Sequence, residues 1–98
     1  MQFSIRVTNY QQNQMLNICD SDLIGKTVIG NDLTMDITNN YYGEKIVTKD
    51  EAKTLLQNSS IINMVGKETI SLSLELGIGS KDGVKIISDI PFLIVFKM

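Results

Sequence analysis

The chain has no histidine and one cysteine among its 98 residues. Without an imidazole there is no Ser-His-Asp or Cys-His nucleophile pair, no imidazole zinc site and none of the commonest general base. A lone Cys19 closes no internal disulfide, which fits a reducing compartment. Its neighbours Asp20 and Asp22 disfavour a thiolate, and its apolar surroundings suit a buried structural thiol. No basic stretch followed by an apolar segment opens the chain, so it does not read as a signal peptide. The longest apolar run, residues 90–96, is far short of the ~20 residues of a membrane span. The expected location is the cytoplasm. Repeats, low-complexity tracts and Pro/Gly/Ser linkers are also missing. Asn58-Ser59-Ser60 matches a glycosylation sequon by chance in such a setting.

What is present describes one ordinary domain, 43% apolar with a net charge of −2, long enough to bury a core without metal or disulfides. The charge favours neither bulk nucleic-acid binding nor adhesion to an anionic membrane. Phe3, Ile5 and Val7 alternate with polar residues, the period of a half-buried strand. Met15 to Cys19 reads as its hairpin partner across a polar connection at residues 9–14, longer than a two-residue turn. Asp20 is placed to cap a short helical turn ending at Gly25. Residues 26–29 and 33–38 read as two more strands around a Gly30-Asn31-Asp32 turn, the second with a wet face.

Thr48-Lys49-Asp50-Glu51 is a capping box, and it opens a helix whose buried side is Ala52, Leu55 and Leu56 and which ends near Asn58. Ile61 to Lys67 has the character of a turn between two helices. Residues 67–77 carry conflicting signals. Ile70, Leu72, Leu74 and Leu76 alternate strictly, yet Leu, Ser and Glu are poor strand formers and Gly77-Ile78 is a helix stop. The balance favours a helix. Val84 to Ile87 and Phe92 to Phe96 read as closing strands. The last has no polar alternation, which implies cover on both faces, and Pro91 begins it. The predicted fold is α+β: one compact domain, residues 1–98, with a mostly antiparallel sheet of five or six strands and two or three helices packed on it.

Candidate chemistry is sparse. Gly25-Lys26-Thr27 lacks the leading glycine of a phosphate-binding loop, Asp20 standing at that position. Asp20, Asp22, Asp32 and Asp36 offer a metal or small-ligand alternative without calcium-loop spacing. The stronger candidate is Tyr41, Tyr42, Lys45, Lys49, Lys53 and Lys67. Lys49 and Lys53 share a helix face, and aromatic planes beside ammonium groups stack bases and neutralise phosphates. Glu44, Asp50 and Glu51 dilute that patch. No catalytic residue, metal or cofactor is assigned.

Three blocks carry a family resemblance: residues 17–27 (NICDSDLIGKT), Tyr41-Tyr42-Gly43, and residues 62–67 (INMVGK) followed by Leu76-Gly77. In order and spacing they resemble the archaeal domain-of-unknown-function 424 family over nearly the whole chain. The resemblance implies an archaeal cytoplasmic protein of compact α+β fold and supports the helix at residues 67–76. Through the gene neighbourhoods associated with the family, it implies a setting beside translation initiation and ribosome maturation. A histidine common in the family just after the C-terminal proline is replaced here by Phe92, so no role resting on it carries over. The leading expectation is a non-enzymatic translation accessory factor that contacts ribosomal RNA, a ribosomal protein or a translation factor, with no membrane and no DNA partner. Two alternatives stand beside it: a homodimerising interaction module using an apolar patch or a sheet edge such as residues 33–38, and a binder of metal or small ligand through the aspartates of residues 20–36.

Overall fold

A computed structural model describes residues 1–30 and 32–97; Asn31, in the turn expected at residues 30–32, lies outside them. The strands are β1 (Gln2–Tyr10), β2 (Asn13–Asp20), β3 (Thr27–Gly30), β4 (Leu33–Asp36), β5 (Lys45–Thr48), β6 (Ile61–Val65), β7 (Lys85–Ile87) and β8 (Ile90–Phe96). The helices are α1 (Asn39–Tyr42), α2 (Lys49–Asn58) and α3 (Lys67–Glu75). Six strands form one mixed sheet in the order β5-β1-β2-β6-β8-β7, and β3-β4 forms a separate ribbon. Within the main sheet β2 and β6 pair in parallel and the other neighbours pair antiparallel. The α+β expectation holds, as does the helix at residues 67–76.

The pairings make β5, β6 and β7 parallel to one another. Two β-α-β crossovers therefore run the same way across the sheet, one carrying α2 and the other α3. Crossovers of one hand moving in one direction put their helices on one side. Both helices do lie on a single face, where Ala52, Leu56, Ile70 and Leu72 close over Phe3, Ile5, Leu16, Ile18, Ile62, Met64 and Leu93. A smaller cluster of Cys19, Val65, Tyr42, Val28 and Ile37 occupies part of the other face under α1 and the β3-β4 ribbon.

Several local expectations are corrected. The β1-β2 connection is a two-residue turn, with Gln11 and Gln12 at φ of 49° and 69°, because the strands run on to Tyr10 and Asn13. Residues 61–65 are no turn between helices but an inner strand flanked by β2 and β8. β8 is covered on both faces only at its start, where Phe92 packs on the second cluster and Leu93 in the first; Ile94 and Phe96 point to solvent. Pro91 is its second residue rather than its first. The Thr48 capping box forms as expected. Hydrogen bonds from the Thr48 backbone and then its side chain lower the Glu51 pKa. At the other end of α2, Lys97 Nζ donates to the carbonyls of Leu56 (2.6 Å) and Gln57 (3.0 Å).

Asp20 does not cap the short 3-10 turn that follows it. It caps α3 instead. Residue Gly66 at the start of α3 has no side chain to offer the first turn, and the Asp20 carboxylate takes that place. It accepts from Glu68 N (3.1 Å), Thr69 N (2.8 Å) and the Thr69 hydroxyl (2.7 Å). Negative charge there also suits the helix dipole. Gly66 sits at φ 110°, ψ 151°, backbone open essentially to glycine alone, and a Cβ on it would overlap the Asp20 carboxylate.

Asp20→Ala should lower stability by about 2 kcal/mol, as expected for a lost cap that leaves amides unpaired. Gly66→Ala should cost about 3 kcal/mol. Because the clash needs the carboxylate, the double variant should be more stable than the sum of the two losses, a coupling readable by urea unfolding.

Candidate functional site

Strand register fixes what the second sheet face presents. Ser4, Cys19, Val65 and Phe92 form its first row, and α1 with the ribbon lies against it. Arg6, Asn17, Asn63 and Ile94 form the next row. Thr8, Met15, Ile61 and Phe96 form the one after, with Tyr10 and Asn13 at the hairpin end. The outer two rows and the hairpin end carry one cation, Arg6, and no carboxylate. Tyr10 is 67% exposed, Phe96 65% and Tyr41, on α1, 64%. Three aromatic surfaces therefore stand open around one face. The Arg6 guanidinium donates to the Asn40 carbonyl of α1 and the Ser4 hydroxyl to that of Tyr42, so α1 is tied to β1.

The residues singled out from sequence do not gather into one patch. Tyr42 is 7% exposed and packs with Cys19, Val28, Ile37 and Val65; it is a core residue and presents no ring for stacking. Its apolar contacts outweighed the exposed reading because α1 is a single turn laid against the sheet. Tyr41 is open, but on the face opposite α2. Lys49 and Lys53 belong to α2, with Lys53 half-buried. Lys45 lies across from Ile5 on the α2 side and faces Glu51 at 3.9 Å. Lys67 and Lys26 share a cleft with Asp20, Asp22, Glu68 and Asp89, an acid-rich setting that disfavours phosphate. Arg6, Tyr10 and Phe96 went unselected because only strand register shows that they share a face; the alternation of β1 was the available signal for the first two.

The aspartates are likewise dispersed. Asp20 is bound to α3, Asp36 accepts from the Thr27 hydroxyl at 2.8 Å, and Asp32 sits in the ribbon turn at φ 67°. No group of three or more metal-capable side chains occurs among the described residues. Within residues 33–38, β4 pairs with β3 alone among the described strands, so it is an edge strand, as the dimer alternative supposed, though of the ribbon and not of the main sheet.

A groove of about 450 Å³ opens between α1, β4 and β6, lined by Thr34, Met35, Asp36, Thr38, Tyr41, Tyr42 and Asn63. Two buried polar atoms have no partner among the described residues, Thr38 Oγ1 and Asn17 Oδ1. Thr38 lines the groove, and Asn17 is the register neighbour of Asn63. The model of a protein of unknown function, DUF424, matches residues 8–98. The chain belongs to the DUF424 family. No curated protein matches it. Among solved structures, an uncharacterised conserved protein from Methanopyrus kandleri is similar, with a TM-score of 0.81 and 19% identity over 100% of this chain and 95% of that one. At that identity the likeness shows a shared fold alone. No helix among the described residues is long and apolar enough to cross a membrane.

Burial pushes the Cys19 thiol up to about 12, with Asp20 and Asp22 adding to it. Burial does the same to Tyr42, also to about 12, with smaller contributions from Cys19 and Tyr41. Both groups are neutral in the fold and ionise more readily once unfolded. Stability should therefore be full below the free-thiol value of 9.0 and fall as pH rises from there toward 12. Thermal melts from pH 7 to 11 check the direction. At pH 8 the native thiol should resist alkylation and react only on unfolding.

Proposed function

We propose that this DUF424 protein is a non-enzymatic binding module that contacts single-stranded RNA through the open half of its sheet, beside the translation machinery as the family resemblance implies. The observation that carries this reading is the exposure of Tyr10, Tyr41 and Phe96 around strand rows bearing Arg6 and no carboxylate. Water is a poor neighbour for such rings, and bases stack on them with little regard to sequence. An open sheet with projecting aromatics is a general platform for splayed bases. One cation on the platform makes stacking, rather than phosphate neutralisation, the main source of affinity. The expected salt dependence is accordingly shallow.

Fluorescence anisotropy with a short mixed-sequence RNA tests this. Phe96→Ala should weaken binding about tenfold, the loss of one stacked base at roughly 1–3 kcal/mol. Lys49→Glu with Lys53→Glu should leave affinity within about twofold, since α2 lies on the other side of the sheet. The reverse pattern would return the contact to the lysines.

A second reading, a homodimer, is favoured by one separate observation. β7 is an edge strand, and exposed Ile86 and Leu33 flank a cavity of about 350 Å³ there, with exposed Ile29 on the adjoining ribbon. Free edges beside apolar side chains invite pairing. Sedimentation across a wide concentration range should then show a salt-insensitive dimer that Ile86→Lys abolishes; a monomer at all concentrations removes this reading.

A further inference from the structure

We infer that the groove between α1, β4 and β6 is a base-reading pocket selective for an unpaired guanine, an inference that rests on the RNA-binding reading above. The groove is acceptor-rich. Asp36 spends one carboxylate oxygen on the Thr27 hydroxyl, at 2.8 Å, and its second has no partner among the described residues. Thr38, whose hydroxyl is buried and unpaired among the described residues, lines the same groove. A buried polar atom left unpaired is unfavourable in the free protein, so its persistence points to a partner supplied from outside. Acceptors call for a ligand with N–H donors. The groove has no cation in its lining and holds the Asp36 carboxylate, which disfavours phosphate as its occupant.

Its walls call for something flat: the open Tyr41 ring and the Met35 thioether suit a planar face. Among the bases, guanine alone carries imino and amino donors on adjacent atoms, the arrangement a carboxylate accepts in pairs. Asp36 would take those two donors, its Oδ1 using the lone pair that Thr27 leaves free; the Thr38 hydroxyl and the Asn63 amide would donate to the guanine oxygen, and Tyr41 would stack. The backbone phosphate would then fall toward Arg6, which is anchored on α1 at the Asn40 carbonyl. Charge thus divides between a basic strand row outside and an acidic groove within.

The test compares two otherwise identical short RNAs, one with a single unpaired guanine and one with adenine in its place. Guanine should bind about tenfold more tightly, the scale of one bidentate base contact. Asp36→Asn, exposed and isosteric, should remove that preference while leaving the adenine RNA unaffected. Thr38→Val should also narrow the preference and, by deleting a buried unpaired hydroxyl, raise the melting temperature by about 4 °C. Equal affinity for the two RNAs, with Phe96→Ala still weakening both, overturns the pocket and leaves the sheet platform standing. Absence of binding to either RNA overturns both. Chemical-shift changes at Thr38 and Tyr41 with arginine amide but not with guanosine monophosphate would give the groove to a basic side chain and overturn the guanine assignment.

Discussion

The Asp20 carboxylate at the head of α3 is the contact on which the rest of the architecture turns. It joins the end of β2 to a helix that begins 47 residues later, through three hydrogen bonds to groups that would otherwise be unpaired. The parallel neighbour of β2 is β6, and Gly66 follows β6 directly. One side chain thereby fixes the single parallel pairing of the main sheet, the direction in which the chain leaves it and the position of α3 over the core. The conformation of Gly66 and the missing Cβ belong to the same contact: the helix gives up its own cap so that a distant strand can supply one. A local cap would hold α3 together without specifying where it docks. This one does both.

The two faces of the sheet are unequal because of how the chain crosses it. Both long crossovers pass over one face and furnish it with helices. The other face receives what the remaining chain can spare, a two-stranded ribbon and a single helical turn. These cover the row of Ser4, Cys19, Val65 and Phe92 and reach Arg6 and Asn63 in the next. Beyond the covered row the strands continue, and their outward side chains include Ile94 and Phe96. Leaving such residues in water lowers solubility without stabilising the fold, so a binding role gives the uncovered half a reason that packing does not.

Much of the fold was legible in the residues. The alternation of β1, the capping box of α2 and the glycine stop of α3 each depend on neighbours within four or five positions, and each was read correctly. The failures share a physical cause. Asp20 looked like a local cap because its true partners are 48 and 49 residues away. Ser73 made α3 look alternating because a serine counts as polar, yet it is buried with its hydroxyl on the Ile78 carbonyl. Asn63 broke the pattern of β6, although inner strands tolerate an amide where the covering layer ends. The Gln11-Gln12 turn lacks the glycine that normally announces two residues of positive φ. At the site, Tyr41 and Tyr42 are adjacent in sequence and opposite in fate, one open and one in the core. Proximity along the chain suggested a composite patch with the α2 lysines; the sheet stands between them.

That separation bears on how such a molecule would discriminate among partners. Had the tyrosines and lysines shared a face, affinity would come largely from phosphate neutralisation, which any strand of nucleic acid satisfies. With the lysines on the helical side, and with Lys26 and Lys67 held in a cleft with four carboxylates, the open face has little non-specific attraction for polyanions. On the proposed reading, contacts there would come from ring faces and from hydrogen bonds to base edges. An overall charge of −2 works in the same direction, penalising any strand that brings phosphates without bases free to stack. Paired duplex offers no such bases, so on the RNA-binding reading proposed above this face would select for unpaired segments before any individual base is read.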